Sequence, residues 1–207
     1  MIEYIIFLVG GYLVGSIPTA YLVVKARKGI DIRKKGSGNV GAYNAYDTTH
    51  SRLLGILVGL FDALKGFIAT YFSWKLFGAD VWMQILALIG AIVGHNYPVW
   101  LRFHGGRGLS TAAGGYFALG FAHIIVWCLI WGITFPFSKK ILRANLYAII
   151  LSPIIILLLP DSIIAATMVQ NIDPLDFKLL VYIVSTLHIL SHFDVIKKYF
   201  LPHKKTM

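Results

Sequence analysis

Charged side chains, acidic ones above all, are scarce in this sequence, and cysteine occurs only once. Only 14% of the 207 residues are charged, with 9 Asp and Glu against 19 Lys and Arg. The lone Cys128 excludes a disulfide within the chain. Because 57% of the residues are hydrophobic and the mean hydropathy is +0.73, the chain carries more apolar surface than one soluble domain buries. A soluble enzyme is therefore excluded, and an integral membrane protein is predicted.

Linkers and internal repeats of about 20 to 50 residues are also missing from the sequence. We therefore predict a single membrane-embedded domain over residues 1–207. The net charge of +10 lies in short loops beside apolar runs, without the interleaved aromatic residues of RNA-binding segments. This pattern argues against a nucleic acid partner and is explained by membrane topology and contact with anionic membrane lipids.

Long apolar runs predict helices that cross a hydrocarbon core, and they lie at residues 2–24, 53–73, 81–101, 144–160 and 177–193. The first run opens on Glu3 rather than on Lys or Arg, and no small-residue cleavage site follows it. We therefore interpret it as a retained helix rather than a signal peptide.

The apolar stretch 109–135 decides the topology. Read as one helix, it gives six spans, with basic loops on both sides of the membrane. Split near Gly120, it gives seven spans and places sixteen of the 19 Lys and Arg on one side. Since positive residues in short loops stay cytoplasmic, we predict an all-α integral membrane protein with seven transmembrane or partly spanning helices, N-terminus out and C-terminus in. The short helix Leu109–Leu119 would pack inside the protein or line a cavity.

The stretch GSGNVGAYNAYD, Gly36 to Asp47, matches the G-x-G-x-x-G spacing of a dinucleotide-binding loop. A dinucleotide fold needs a preceding strand, whereas an apolar helix and a basic run precede this stretch. Glycines still allow backbone N–H groups to approach an anion, and Ser37, Asn39 and Asn44 offer side-chain donors. An anion-binding loop and an ordinary tight loop both remain open here.

A second glycine-rich stretch, GHNYPVWLRFHGGRGLSTAAGG, spans residues 94–115. Its Gly-Gly-Arg-Gly turn leads into the predicted helix at Leu109. Backbone donors, a helix N-terminus and the guanidinium of Arg107 can therefore converge on a phosphate group. A plain basic loop would not need three glycines around one arginine.

Ionisable residues within the predicted helices form two pairs. Asp62 and Lys65 lie three residues apart on one helical face, so we expect them to pair in the interior, although a role in holding a polar substrate stays open. His188 and His192 also share a face, but no further ligands with metal spacing accompany them, so no metal site is predicted. We expect His192 to point into the polar site.

The order and spacing of these motifs resemble the bacterial acyl-phosphate glycerol-3-phosphate acyltransferases, the PlsY family, over nearly the whole chain. The shared stretches are GSIPTAYLV in the first helix, GSGNVGAxN, the D-x-x-K-G of Asp62 to Gly66, GHNYPVWLRFHGGRGLSTA for the family's GHxxPxxxxFKGGKGVAT, and a last helix ending in His192. The resemblance implies a seven-helix membrane protein with its active site on the cytoplasmic face.

The resemblance also implies an activity, transfer of a fatty acyl group from acyl phosphate to the 1-hydroxyl of glycerol 3-phosphate, without a cofactor or metal. The expected product is lysophosphatidic acid, made by a monomer in the bacterial inner membrane. The expected catalytic residues are Ser37, Asn39 and His192. Substrate contacts are expected from Gly36, Gly38, Gly41, Asn44, Lys65, Gly105, Gly106, Arg107, Gly108 and Ser110. Asp62 and His95 are expected to support the polar site.

Several positions depart from the family pattern. The departures are Tyr43, Asp47, His104, Arg107, Ser191, Phe193 and Val195. Arg107 keeps a cation where the family has Lys, but the pocket loses positive charge overall. Two alternatives to the usual activity therefore stay open: an altered acceptor, and a paralogue that binds lipid or acyl phosphate without this turnover. A transporter built from broken helices is disfavoured because no inverted repeat appears.

Overall fold

The computed structural model describes residues 1–200, which form eleven α-helices and two single 3-10 turns at Ile32–Lys34 and Val99–Leu101. The chain divides into two compact units, Met1–Leu119 and a second that begins at Gly120. The helices are α1 (Ile2–Gly15), α2 (Thr19–Lys28), α3 (Ala42–Thr49), α4 (Arg52–Phe77), α5 (Val81–Asn96), α6 (Leu109–Leu119), α7 (Ala122–Ser138), α8 (Ile141–Leu158), α9 (Asp161–Ala165), α10 (Pro174–Ser191) and α11 (Phe193–Phe200).

Five helical segments within the described residues are long and apolar enough to cross a membrane. They are Ile2–Lys28, Arg52–Phe77, Val81–Leu101, Ile141–Leu158 and Pro174–Ser191, and the shorter apolar helix Ala122–Ser138 joins them. The helical membrane class is therefore confirmed. The count of seven spans, the orientation and the single domain stay predictions.

The first apolar run is confirmed as a membrane-length segment, Ile2–Lys28, but the helix is interrupted within it. Helix α1 ends at Gly15, and α2 begins at Thr19 after Pro18. Proline has no backbone N–H and disfavours helical geometry in the residue before it. The Ile17 carbonyl accepts hydrogen bonds from the Thr19 N–H and from Lys65 Nζ, both at 2.9 Å. A buried cation from α4 therefore satisfies backbone that the break leaves open.

Close helix packing in the first unit depends on glycine. A Cβ on Gly11 of α1 would lie closer than 3.0 Å to the Ala87 carbonyl of α5, and one on Gly94 of α5 would meet the Tyr12 carbonyl equally closely. Helices α4 and α6 approach in the same way, with Gly114 facing the backbone of Ala63. Small residues at such crossings let backbones touch, the arrangement that favours association in lipid.

The predicted split of the 109–135 stretch near Gly120 is confirmed, because α6 ends at Leu119 and α7 begins at Ala122. The Phe121 N–H donates to the Thr167 carbonyl at 3.0 Å, and a Cβ on Gly120 would collide with the Met168 sulfur. The chain turns at this point because a neighbouring segment of the second unit packs directly against it.

Two hydrogen bonds join α7 to α8 in the second unit. His123 Nε2 lies 3.0 Å from Ser152 Oγ, and Trp131 Nε1 donates to Asn145 Oδ1 at 2.8 Å. Both His123 and Ser152 are buried. These bonds align two otherwise apolar helices, and α8 also packs against α10.

Candidate active site

The loop 36–41 is closed around the side chain of Asn44. Asn44 Nδ2 lies 2.8 Å from the Asn39 carbonyl and 3.2 Å from the carbonyls of Ile32 and Lys35, while Oδ1 accepts from the Ser37 N–H at 3.0 Å. The residue is 1% exposed. Its side-chain amide is therefore hydrogen-bonded to the loop backbone and points inward. Its contact with substrate stays a prediction.

Helix α3 begins at Ala42, so the interpretation of residues 36–47 as one loop was wrong beyond Gly41. Asn44 and Asp47 are helical, and Asp47 is exposed. The helix forms because Gly41, with extended backbone, starts a turn in which the Ala45 N–H bonds the Gly41 carbonyl at 3.0 Å. The glycine loop therefore leads into a helix N-terminus, where the partial positive charge of the helix dipole lies.

Positive backbone φ angles shape this loop at Gly36 (57°) and Gly38 (74°). A Cβ at Gly36 would collide with Asn44 Oδ1. Ser37 lies between the two glycines, and its side chain is exposed. The loop thus presents a hydroxyl to solvent from a backbone that only glycine adopts easily.

The second glycine loop, residues 105–108, folds back on the end of α5. The N–H groups of Gly105 and Gly106 donate to the carbonyls of Asn96 and His95 at 3.1 and 3.0 Å. A Cβ on Gly106 would lie closer than 3.0 Å to His95 Nε2. Gly108 has φ 80° and leads into α6. The His95 ring therefore fixes the path of the backbone that carries Arg107.

The two glycine loops touch each other. The Val40 N–H donates to the Gly105 carbonyl at 3.1 Å, and Asn39 Nδ2 approaches the same oxygen at 3.4 Å. Segments 65 residues apart in sequence therefore form one surface, which joins Ser37 and Asn39 to the Arg107 loop.

The N-terminal ends of α3 and α6 also converge, above Gly59 of α4. A Cβ placed on Gly59 would lie 3.6 Å from the Ala42 Cβ and 3.9 Å from the Ser110 Oγ. Ala42 is the first residue of α3, and Ser110 is the second of α6. Two helix N-termini with glycine-rich approaches thus face one region, an arrangement that attracts anions such as phosphate.

Beneath this surface lies a buried charged network. Lys65 Nζ is 2.8 Å from Asp62 Oδ1, which confirms the predicted pairing, and 3.2 Å from His95 Nδ1. Thr19 Oγ1 donates to the same Asp62 oxygen. Lys65 is 5% exposed and bonded within the protein. Its contact with substrate stays a prediction. The role of Thr19 was not predicted from the sequence, in which only its position after Pro18 marks it.

A small cavity connects this network with the loops. The volume that the centre of a water molecule can occupy in it is about 10 Å³, enough for about one water molecule. Its lining includes Thr19, Val40, Lys65, His95 and Gly105. The cavity places polar groups of the network directly under the contact between the loops.

Three consecutive basic residues, 33–35, directly precede the first loop. The Arg33 guanidinium donates two hydrogen bonds to Asp31, at 3.0 and 2.8 Å, and holds the pKa of that carboxyl at about 2. Asp31 therefore compensates Arg33, while Lys34 and Lys35 stay exposed beside the glycines. The approach to the loop favours an anionic ligand.

His192 lies in the second unit, at the C-terminal cap of α10. It is fully buried, and its Nδ1 lies 2.8 Å from the His188 carbonyl. Its predicted catalytic role in the site of the first unit stays a prediction. Over residues 1–200, no group of three His, Cys, Asp or Glu is arranged to hold a metal ion.

Comparison with known proteins gives one consistent family. The family model described as glycerol-3-phosphate acyltransferase matches residues 5–201. Glycerol-3-phosphate acyltransferase 5 of Dehalococcoides mccartyi is 50% identical over 111 residues, which are 54% of this chain and 47% of that protein. The chain thus spans about half the length of that relative. Glycerol-3-phosphate acyltransferase 2 of Moorella thermoacetica is 41% identical over 154 residues, 74% of this chain and 78% of that protein.

A solved structure resembles this fold along almost its whole length. The crystal structure of PlsY, an integral membrane glycerol 3-phosphate acyltransferase, in its glycerol 3-phosphate form, superposes with a TM-score of 0.78 at 29% identity, covering 94% of this chain and 90% of that one. With the apolar helices, this similarity supports a multi-pass membrane protein. This chain belongs to the glycerol-3-phosphate acyltransferase family, PlsY.

Proposed function

We propose that this protein transfers a fatty acyl group from acyl phosphate to the 1-hydroxyl of glycerol 3-phosphate, forming lysophosphatidic acid and phosphate. The observation that carries the proposal is the contact between the two glycine loops, with the N-termini of α3 and α6 facing one region. Both substrates bring phosphate groups, and helix N-termini, glycine backbone and a guanidinium are suited to hold them. The relatives' names support the same acceptor.

The reaction needs positioning more than a strong base or nucleophile. The acceptor hydroxyl oxygen forms a bond to the acyl carbonyl carbon, the bond from that carbon to the phosphate oxygen breaks, and phosphate leaves. A substrate phosphate oxygen takes the hydroxyl proton. Because acyl phosphate is a mixed anhydride with a good leaving group, orientation and stabilisation of the developing negative charge supply the catalysis.

In this proposal Ser37 and Asn39 donate hydrogen bonds to phosphate or carbonyl oxygens, and Arg107, in the loop 105–108, binds the phosphate of glycerol 3-phosphate. Backbone of the two glycine loops and Ser110 completes the site, and His192 hydrogen-bonds the reacting groups. Asn44 supports the first loop from within, because its side chain is buried among the carbonyls of that loop. The site faces the cytoplasm of a bacterial cell, and the protein acts as a monomer.

The donor and acceptor are tested with purified full-length protein in liposomes. Labelled glycerol 3-phosphate is supplied with palmitoyl phosphate, palmitoyl-CoA or palmitoyl acyl carrier protein. We expect labelled lysophosphatidic acid with palmitoyl phosphate alone. Equal product from palmitoyl-CoA would refute the donor assignment. Tight binding of palmitoyl phosphate without any product would favour the non-catalytic alternative instead.

A further inference from the structure

A cluster of cations surrounds one aromatic ring in the second unit. Arg143 Cζ lies 4.7 Å from the centroid of the Tyr199 ring, Lys140 Nζ lies 5.6 Å from it, and Lys198 Nζ lies 5.9 Å from it. We call these four residues the Tyr199 cluster. Lys140 and Arg143 come from the start of α8, and Lys198 and Tyr199 from α11, so the cluster exists only because these two helices pack together.

The cluster carries more positive charge than nearby carboxylates can balance. Lys139 and Lys197 flank it, and Asp194 is the single acidic residue of α11. No acidic residue occurs anywhere between Asp80 and Asp161, so α8 contributes none. Over residues 1–200, neither Lys140, Arg143 nor Lys198 lies in an ion pair with Asp or Glu. Within this described range, the three cations at the Tyr199 ring thus have no carboxylate as an ion-pair partner.

Such crowding is unfavourable without an anion. Since both distances run to one ring centroid, the charges of Arg143 and Lys140 lie at most about 10 Å apart, close to the physiological Debye length of about 8 Å, and salt screens their repulsion only in part. The ring attracts each cation through its π face, but it contributes no negative charge. A phosphate placed among these side chains would relieve the repulsion, and the guanidinium fork can donate two hydrogen bonds to it.

The position of the cluster at the ends of two membrane-length segments indicates where that phosphate comes from. Lys140 precedes the membrane-length segment Ile141–Leu158, and α11 follows the membrane-length segment Pro174–Ser191. Cations and a tyrosine at the ends of spans are typical of the membrane interface, where lipid headgroups lie. We propose that the Tyr199 cluster is a binding site for the phosphate headgroup of an anionic phospholipid, independent of the acyl-transfer site.

Native mass spectrometry of the detergent-purified full chain tests this site, with dioctanoyl phosphatidylglycerol and dioctanoyl phosphatidylcholine as probes. The wild type should prefer the anionic lipid. Because each interfacial cation changes lipid affinity by about fivefold, Lys140→Gln with Arg143→Gln should reduce the preference about 25-fold. Lys198→Gln, an exposed change that keeps the fold, should reduce it about fivefold.

Two matched variants control for charge and for the candidate active site. Lys75→Gln removes an exposed cation that also lies over an aromatic ring, at 3.7 Å from the Trp74 centroid, and should leave the preference unchanged. Arg107→Gln should also leave it unchanged, since that residue belongs to the other site. An undiminished preference in Lys198→Gln, or an equal loss in Lys75→Gln, would overturn the proposal. Displacement of the lipid by millimolar inorganic phosphate would assign the cluster to free phosphate and overturn it as well.

Discussion

Gly106 offers the sharpest test of how the second glycine loop is held. Its N–H bonds the His95 carbonyl at 3.0 Å, and a Cβ would lie closer than 3.0 Å to Nε2 of the same residue. Ordinary contact needs 3.4–4 Å, so Gly106→Ala must move the loop or the ring by more than about 1 Å. We expect a stability loss of about 1–3 kcal/mol, as for other overpacked sites. A displacement of that size in a positioned loop lowers kcat/KM by up to about 100-fold.

The assay is acyl transfer to glycerol 3-phosphate, with kcat and KM measured separately and the melting temperature recorded for each variant. We expect KM for glycerol 3-phosphate to rise more than kcat falls, because this loop is proposed to bind the phosphate of that substrate. Gly10→Ala is the matched control, since nothing lies within 4 Å of a Cβ at that position. It should behave as wild type.

A double-mutant cycle isolates the clash with the ring. In a His95→Ala background the ring is absent, so adding Gly106→Ala should cost little further activity. The reasoning is refuted if Gly106→Ala keeps the wild-type KM, or if it costs as much without the ring as with it.

Three further predictions concern the network, the first loop and the altered charge. Lys65→Met leaves the Asp62 carboxylate buried without this cation and should lower the free energy of unfolding by about 3–5 kcal/mol, measured by thermal unfolding. The double variant Asp62→Leu with Lys65→Met removes both charges and should lose less stability. Equal losses in the two variants would contradict the proposed cost of the unpaired carboxylate. Asn44→Ala removes the amide that closes the first loop and should raise KM for glycerol 3-phosphate at least about fivefold, since each lost hydrogen bond is worth about 1 kcal/mol. An unchanged KM would show that the loop keeps its conformation without this amide. Asp47→Arg should lower that KM, because Asp47 is exposed on α3 and arginine there replaces a negative charge with a positive one near the first loop. Val195 is 2% exposed, so Val195→Asn would bury an amide and is not used as a test. A higher KM in Asp47→Arg would show that the carboxylate has taken a role in the site.

The membrane class, the break near Gly120 and the pairing of Asp62 with Lys65 could be predicted from the sequence, because each follows from an energetic rule that applies to any membrane protein. Unpaired charge is expensive in lipid, positive residues in short loops stay cytoplasmic, and an apolar segment has to match the membrane thickness. These constraints act locally and leave a visible pattern in the chain.

The break at Pro18 and the inward turn of Asn44 could not be predicted in the same way. A membrane helix tolerates proline wherever neighbours satisfy the freed carbonyls, so the outcome at Ile17 depends on Lys65, 48 residues away. Asn44 could equally have faced a ligand, and the carbonyls that surround it are brought together only when the 3-10 turn and α3 pack against each other. Both outcomes depend on tertiary contacts that single residues do not encode.

The central claim, that the loop 105–108 binds the phosphate of glycerol 3-phosphate, is tested most directly by KM for this acceptor in Arg107→Gln. Arg102→Gln is the matched control, because Arg102 is an exposed cation on the preceding turn. With palmitoyl phosphate saturating, loss of a charged hydrogen bond worth about 1.5–3 kcal/mol predicts a KM at least about tenfold higher for Arg107→Gln and unchanged for Arg102→Gln. Equal KM values in the two variants and the wild type would contradict the account.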